Sequence, residues 1–153
     1  MSRRDQIRMD DAEVAAFLDE RHTMNIATLG ADGRPHLVAM LYGFFPDGAL
    51  GFWTYGRSQK IVNLRRDPRM TCLVEAGEAY EELRGVELVA DGTIVEEREE
   101  VLALGASVFD RYSGPYTPEA RPILEQVGAK RVAVRLDVLE TVSWDHRKLG
   151  GTY

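Results

Sequence analysis

The chain has 153 residues, 44% of them apolar, which is typical of a single globular domain spanning residues 1–153. Its 25 acidic and 19 basic side chains give a net charge of −6, which argues against a general nucleic-acid-binding protein because such proteins need a basic face. Its longest uncharged stretch, residues 35–46, is too short to span a membrane.

The first third of the chain predicts a helix and three antiparallel strands. The helix begins at Asp10 or Asp11 and runs to about His22. Strands follow at residues 23–29, 36–45 and 50–55, and the glycine-rich turns at 30–35 and 46–48 separate them. These turns are too short for the crossover that parallel strands require, so the strands are expected to form a meander.

The remainder predicts more strands and three helices. A short helix is expected from Ser58 to Arg66, since Ser58 is a plausible N-cap and Asp67-Pro68 ends the segment. Strands are expected at 69–75, at 85–96 with an interruption at Asp91-Gly92, and at 130–142; helices are expected at 98–112 and from residue 117. The pattern predicts a mainly β (α+β) fold, an antiparallel barrel of about six strands with peripheral helices.

Cys72 is the single cysteine, so no intrachain disulfide is possible, and a reducing, cytoplasmic setting is expected. The N-terminal residues also lack the apolar segment of a signal peptide. Neither Cys72 nor the three histidines have metal-binding spacing, and no metal site is expected.

The segment 56–63, Gly-Arg-Ser-Gln-Lys-Ile-Val-Asn, carries a candidate anion site. It places Arg57, Ser58 and Lys60 at a predicted helix N-terminus, where free N–H groups and the helix dipole favour a phosphate. A solvated basic turn explains the spacing equally well. The preceding strand favours the phosphate site, because Trp53 and Thr54 are expected to place an aromatic face and a hydroxyl beside the same pocket.

Several segments together resemble the pyridoxamine 5′-phosphate oxidase-like split β-barrel proteins, and in particular the branch that uses the deazaflavin coenzyme F-420. The similarity covers nearly the whole chain. It is carried by residues 28–35, the strand 36–42, residues 85–92 and, most specifically, residues 60–69 with their order Lys-x-x-Asn-Leu-x-x-Asp-Pro.

This resemblance implies a set of cofactor-binding residues. Lys60 and Asn63 fall where family members contact the cofactor phosphate, and Arg57 and Ser58 are expected to assist. The middle of the second strand would lie along the cofactor ring and offer backbone groups to its edge, and the next strand would line the adjacent wall. The residues concerned are Val38, Ala39, Met40 and Leu41 on the second strand, and Trp53 and Thr54 on the third.

The function implied is an F-420-dependent oxidoreductase that transfers a hydride to an unsaturated small-molecule substrate. The cofactor carries that chemistry, so no catalytic residue is assigned. The alternatives are an FMN-binding oxidase or reductase of the same fold and a non-catalytic flavin- or haem-binding module. The family further implies a homodimer with the cofactor at its interface. The chain lacks the arginine-rich C-terminal substrate motif of the true oxidases, so vitamin B6 chemistry is not expected.

Overall fold

The structure is a computed structural model that describes residues 1–151. Seven strands form one sheet in which every neighbouring pair is antiparallel. The strands are β1 (Met24–Leu29), β2 (Pro35–Met40), β3 (Gly43–Phe44), β4 (Leu50–Tyr55), β5 (Arg69–Ala76), β6 (Arg84–Val95) and β7 (Arg131–Asp145). The α-helices are α1 (Arg3–Ile7), α2 (Asp11–Asp19), α3 (Gln59–Arg66), α4 (Arg98–Tyr112) and α5 (Arg121–Gly128).

The sheet curls because its two edge strands are consecutive in the chain. The strand order is β2-β1-β5-β6-β7-β4-β3, so β2 and β3 are the edges, yet only Leu41 and Tyr42 separate them. Three Cα–Cα steps span at most about 11 Å. The edges therefore meet at this corner, and the sheet closes there into a barrel. This confirms the predicted antiparallel split β-barrel.

The corner is held by a buried arginine. The Tyr42 hydroxyl donates to the Leu18 carbonyl at 2.7 Å, and Arg111 on α4 donates to the Tyr42 carbonyl at 3.0 Å. Arg111 also donates to the carbonyls of Leu18, Asp19 and Glu20 at the end of α2, and its guanidinium lies 4.6 Å from the centre of the Tyr42 ring. Burial raises the pKa of Tyr42 to about 12. Arg111 thus ties α2, α4 and the barrel corner together.

Two apolar clusters lie on opposite sides of the sheet. The inner cluster fills the barrel and includes Met24, Ile26, Phe52 and the buried thiol of Cys72, whose pKa burial raises to about 12. The outer cluster lies between β4 and the pair α4–α5. None of the helices within residues 1–151 is both long and apolar enough to cross a membrane.

The structure differs from the sequence-based expectation in several elements, and α2 ends at Asp19 rather than at about His22. The run 36–45 is two strands, because the chain turns at the Leu41–Tyr42 corner. The strand expected to break at Asp91-Gly92 is continuous, and its irregularity is a register shift at Val89/Ala90. Helix α1 was not expected, and β7 extends to Asp145. The described sheet consequently has seven strands rather than about six.

Candidate functional site

An opening in the barrel separates β2 from β4. On its outer side β2 pairs with no strand within residues 1–151, and β3 covers β4 only at Leu50 and Gly51. Both free edges start at the barrel corner and run away from it, toward Pro35 on β2 and Tyr55 on β4. We call the gap between these two edges the split.

Helix α3 bridges the far end of the split. Lys60 Nζ donates to Thr54 Oγ1 on β4 at 2.9 Å, and Asn63 Nδ2 donates to Thr28 Oγ1 on β1, the neighbour of β2, at 3.0 Å. Lys60 and Asn63 share a helix face because they are three residues apart. One face of α3 therefore connects the two sides of the opening.

Lys60 is a buried cation without an acidic partner. Lys60 is only 8% exposed, and it forms no ion pair within residues 1–151. Burial lowers the pKa of Lys60, and the nearby charge of Arg131 lowers it further. A buried ammonium that lacks a counter-charge is costly, and an anionic ligand would supply that charge.

The first turn of α3 is open to the same anion. Ser58 is the N-cap, but its side chain makes no capping hydrogen bond. Its hydroxyl is 3.5 Å from Thr54 Oγ1, which itself accepts from Lys60. Hydroxyls, an ammonium group and uncapped N–H groups at a helix N-terminus fit a phosphate group.

Arg57 lies next to the donors at the start of α3, on the wall of a cleft of about 680 Å³. Arg57 is exposed and has no ion pair within the described part of the chain, whereas Arg65 on the same wall pairs with Glu96 at 2.6 Å. The cleft also carries Lys130 and the exposed ring of Tyr55. It is a basic, partly aromatic region on a protein of net negative charge.

Asn63 occupies a different environment from Lys60. Its side chain is fully buried, and besides its bond to Thr28 its Oδ1 accepts from Gln59 Nε2 at 2.8 Å. Arg66, which also donates to the Leu29 carbonyl, lies 3.4 Å from the same oxygen. Both the nitrogen and the oxygen of the Asn63 side-chain amide are thus hydrogen-bonded to the protein, and the bond to Thr28 holds α3 against β1.

Trp53 and Thr54 do not line one wall, because consecutive residues of a strand point to opposite faces. Thr54 faces the split, whereas Trp53 packs in the outer cluster. A Cβ added at Gly105 would lie 2.5 Å from the Trp53 ring, and one at Gly128 would lie 2.9 Å from it. Trp53 is therefore wedged between α4 and α5.

Strand β2 alternates along the split. Val38 and Met40 face inward and pack against the inner cluster, whereas Ala39 and Leu41 are exposed. Because β2 is an edge strand, backbone groups on its outer side are free to bind a flat ring. The four residues thus border one opening, and α3 lies at its end.

The structure adds two residues that the sequence did not single out as site residues. Thr28 is 1% exposed and is the acceptor that anchors Asn63. Gln59 buttresses the same amide from the first turn of α3. In the sequence, Thr28 is one threonine in a predicted strand, so no local signal marks it. No group of three metal-binding side chains occurs within residues 1–151.

Comparison with known proteins gives three similarities beyond the fold. The pyridoxamine 5′-phosphate oxidase family model matches residues 10–145. An F420H(2)-dependent biliverdin reductase from Mycobacterium tuberculosis is 34% identical over 133 residues, which is 86% of this chain and 90% of the relative. The crystal structure of a conserved hypothetical protein from Mycobacterium tuberculosis is 47% identical, with a TM-score of 0.94 over 100% of this chain and 95% of that one.

An F420 reductase structure shares the fold at 24% identity, with a TM-score of 0.57 over 82% of this chain and 93% of that one. The family match covers most of the chain, and the 34% relative covers most of both sequences. On this evidence the chain belongs to the pyridoxamine 5′-phosphate oxidase family.

Proposed function

We propose that the protein is an F-420-dependent oxidoreductase that transfers a hydride to an unsaturated small molecule. The observation that carries this proposal is Lys60, a buried cation at the N-terminus of α3 that has no acidic partner within residues 1–151. The F420H(2)-dependent relative supports the deazaflavin over FMN, because its similarity extends over 86% of this chain.

In this proposal Lys60 binds the cofactor phosphate. Its ammonium supplies the charge, and Ser58 and the first N–H groups of α3 supply further donors. Thr54 on β4 orients Nζ by accepting a hydrogen bond from it. Asn63 acts as a positioning residue, since its bonds to Thr28 and Gln59 hold the helix in place. Arg57 assists from the exposed side.

The ring of the cofactor is proposed to lie along the split, against the free edge of β2. Backbone groups near Val38, Ala39, Met40 and Leu41 would fix the ring edge, while the inner cluster keeps water from one of its faces. When bound, the deazaflavin supplies the hydride. The protein contributes orientation and a dry surface, which explains why the site needs no catalytic triad.

For the substrate we propose an extended, conjugated molecule that carries carboxylates, with biliverdin as the first candidate. The name of the relative supplies biliverdin. The cleft next to the start of α3 supports this class of substrate, because it combines the exposed ring of Tyr55 with Arg57 and Lys130, two cations that form no ion pair within residues 1–151. Carboxylates would meet the cations while the conjugated part stacks on the ring.

We further propose a homodimer formed through the outer face of the sheet. A row of small and apolar side chains crosses this face, since Leu37 pairs with Ala27, Ala27 with Thr71 and Thr71 with Val89. Leu37 and Leu139 are each 68% exposed, and Leu139 lines a hollow of about 370 Å³ together with Ala27, Thr71 and Val89. A second copy would cover these side chains, and β2 would bring that interface next to the split.

Two measurements test the proposed function. The first is a binding titration of the purified protein with F-420 and with FMN, side by side. We expect F-420 to bind at least about tenfold more tightly, equivalent to about 1.4 kcal/mol. Tighter binding of FMN would show that the cofactor is the flavin and not the deazaflavin. Purification of a red protein that carries haem would reject both cofactors in favour of a haem-binding role.

The second measurement is anaerobic turnover with reduced F-420 and biliverdin. We expect the protein to accelerate reoxidation of the cofactor together with loss of the biliverdin absorbance. If other conjugated acceptors reoxidise the cofactor and biliverdin does not, the proposed reductase activity stands and biliverdin is rejected as the substrate.

A further inference from the structure

The cleft next to the start of α3 contains one carboxylate among its cations. Its walls come from the β4–α3 turn, the last turn of α3, the residue after β6 and the residues around the start of β7. Arg57, Arg65 and Lys130 line it, and Glu96 is the one acidic residue on its walls within residues 1–151. A cleft that binds carboxylates is expected to lack acidic side chains, so the position of Glu96 needs an explanation.

Glu96 is held in the cleft by Arg65. Its Oε1 accepts a hydrogen bond from Arg65 Nη2 at 2.6 Å, and the two side chains are 62% and 51% exposed. An ion pair as exposed as this one contributes little to the stability of a fold, because water screens it. The main consequence of the pair is therefore that the charge of Arg65 is neutralised on the wall of the cleft.

The two other cations of the cleft are not neutralised in this way. Arg57 and Lys130 are both exposed, and neither forms an ion pair in the described part of the chain. With three cations and one carboxylate, the walls carry a net charge of +2. A cleft of about 680 Å³ is roughly one Debye length across, about 10 Å at 0.1 M salt, so all four charges act on a ligand inside it.

We propose that Glu96 is a specificity-determining residue that sets this cleft for a substrate with two carboxylates. The inference rests on the proposed function, because it concerns the cleft assigned there to the substrate. By neutralising Arg65, Glu96 leaves Arg57 and Lys130 as the two cations that the substrate meets. Biliverdin, with its two propionates, matches that number, whereas a further carboxylate would lie near Glu96 and be repelled.

A pair of substitutions and their combination separate this role from a structural one. Glu96→Gln removes the negative charge and keeps the shape, so it releases Arg65. Arg65→Met removes the cation and leaves Glu96 without its partner, and the double substitution restores the net charge of the unsubstituted cleft. Glu99→Gln is the matched control, because Glu99 is also an exposed glutamate paired with an arginine, Arg121 at 2.7 Å, but does not line this cleft.

The readout is the Kd for biliverdin and for its dimethyl ester, measured on protein saturated with oxidised F-420 so that no turnover occurs. One charge a few ångströms from a ligand carboxylate changes Kd about fivefold in water. We therefore expect Glu96→Gln to bind biliverdin about fivefold more tightly, Arg65→Met about fivefold more weakly, and the double variant within about twofold of the unsubstituted protein. Glu99→Gln should bind biliverdin normally, and every variant should bind the uncharged ester within about twofold of the unsubstituted protein.

Salt supplies a second readout that a structural role would not move. At about 1 M salt the Debye length falls to about 3 Å, so the differences in biliverdin affinity among the variants should largely disappear.

An unchanged or higher Kd of Glu96→Gln for biliverdin would overturn the proposal, and so would an equal gain for the dimethyl ester. If Glu96 only fastens α3 to the end of β6, both single substitutions lower Tm and neither tightens binding. Normal binding of biliverdin by the unsubstituted protein, with the same Kd in Glu96→Gln, rejects only the role of Glu96. Failure of the unsubstituted protein to bind biliverdin rejects the proposed substrate and this role together.

Discussion

Replacing Lys60 with methionine should weaken cofactor binding without harming the fold. Methionine has a similar length and no charge, so it fills the same space beside Thr54 while removing the ammonium. In the unliganded protein this ammonium has one hydrogen bond, to Thr54, and no carboxylate partner within residues 1–151. Its loss therefore breaks no ion pair.

The magnitude follows from the contact that the ammonium would make. A hydrogen bond to a charged group contributes about 1.5–3 kcal/mol, and each 1.4 kcal/mol is tenfold in Kd. Lys60→Met should therefore raise the Kd for F-420 roughly 10- to 150-fold. Binding of the deazariboflavin that lacks the phosphate should change little, because the lost contact is with the phosphate.

The assay is a fluorescence or calorimetric titration of both ligands against the unsubstituted protein, Lys60→Met and the control Lys130→Met. Lys130 is an exposed cation of the neighbouring cleft, and single exposed charges contribute about 0–1 kcal/mol, so the control should shift Kd by less than about fivefold. Binding of F-420 by Lys60→Met within about twofold of the unsubstituted protein would show that Lys60 does not hold the phosphate. An equal loss for the phosphate-free ligand would show the same.

Three further predictions concern stability and assembly. Burial lowers the pKa of Lys60 from its ordinary 10.5, so its charge destabilises the unliganded fold below that lowered pKa, and the penalty fades as pH rises toward 10.5. Unliganded Lys60→Met should therefore have the higher Tm at pH 7, and the difference should shrink near pH 10; equal Tm values at pH 7 would contradict this. Arg111→Met should lower the free energy of unfolding by about 2–4 kcal/mol in urea, since it removes the side-chain donor to the buried Tyr42 carbonyl and the hydrogen bonds from α4 to the end of α2; a loss below about 1 kcal/mol would show that Arg111 does not hold the corner. Leu37→Glu combined with Leu139→Glu should convert a dimer to monomers in sedimentation, because both side chains are exposed on the outer face. The control Ile123→Glu changes an exposed residue of α5 and should leave assembly unchanged. Dimers that survive the double substitution would show that the interface lies elsewhere.

The sequence predicted α3 well because its signals are local. Ser58 at the N-cap, Ile61 and Leu64 on one side, and Asp67-Pro68 after the last turn specify the helix within eleven residues. The same segment carries Lys60, so the candidate phosphate site could be located from the sequence. What the sequence did not show is that Lys60 is buried and has no counter-charge in the described part of the chain, since its environment depends on β4 and on Arg131.

Features that depend on distant residues were missed for physical reasons. The run 36–45 has no turn residue at Leu41–Tyr42, and the corner is stabilised by Arg111, 69 positions away. The face to which Trp53 points was also hidden, because residues 50–54 are buried on both sides of the sheet and show no alternation. Only the placement of α4 and α5 against one face separates Trp53 from Thr54.

The most direct test of the account is the structure of the complex with F-420. We expect a phosphate oxygen about 2.7–3.2 Å from Lys60 Nζ at the start of α3, with the deazaflavin ring in the split against the free edge of β2. A phosphate bound away from α3, or a ring lying outside the opening between β2 and β4, would contradict it.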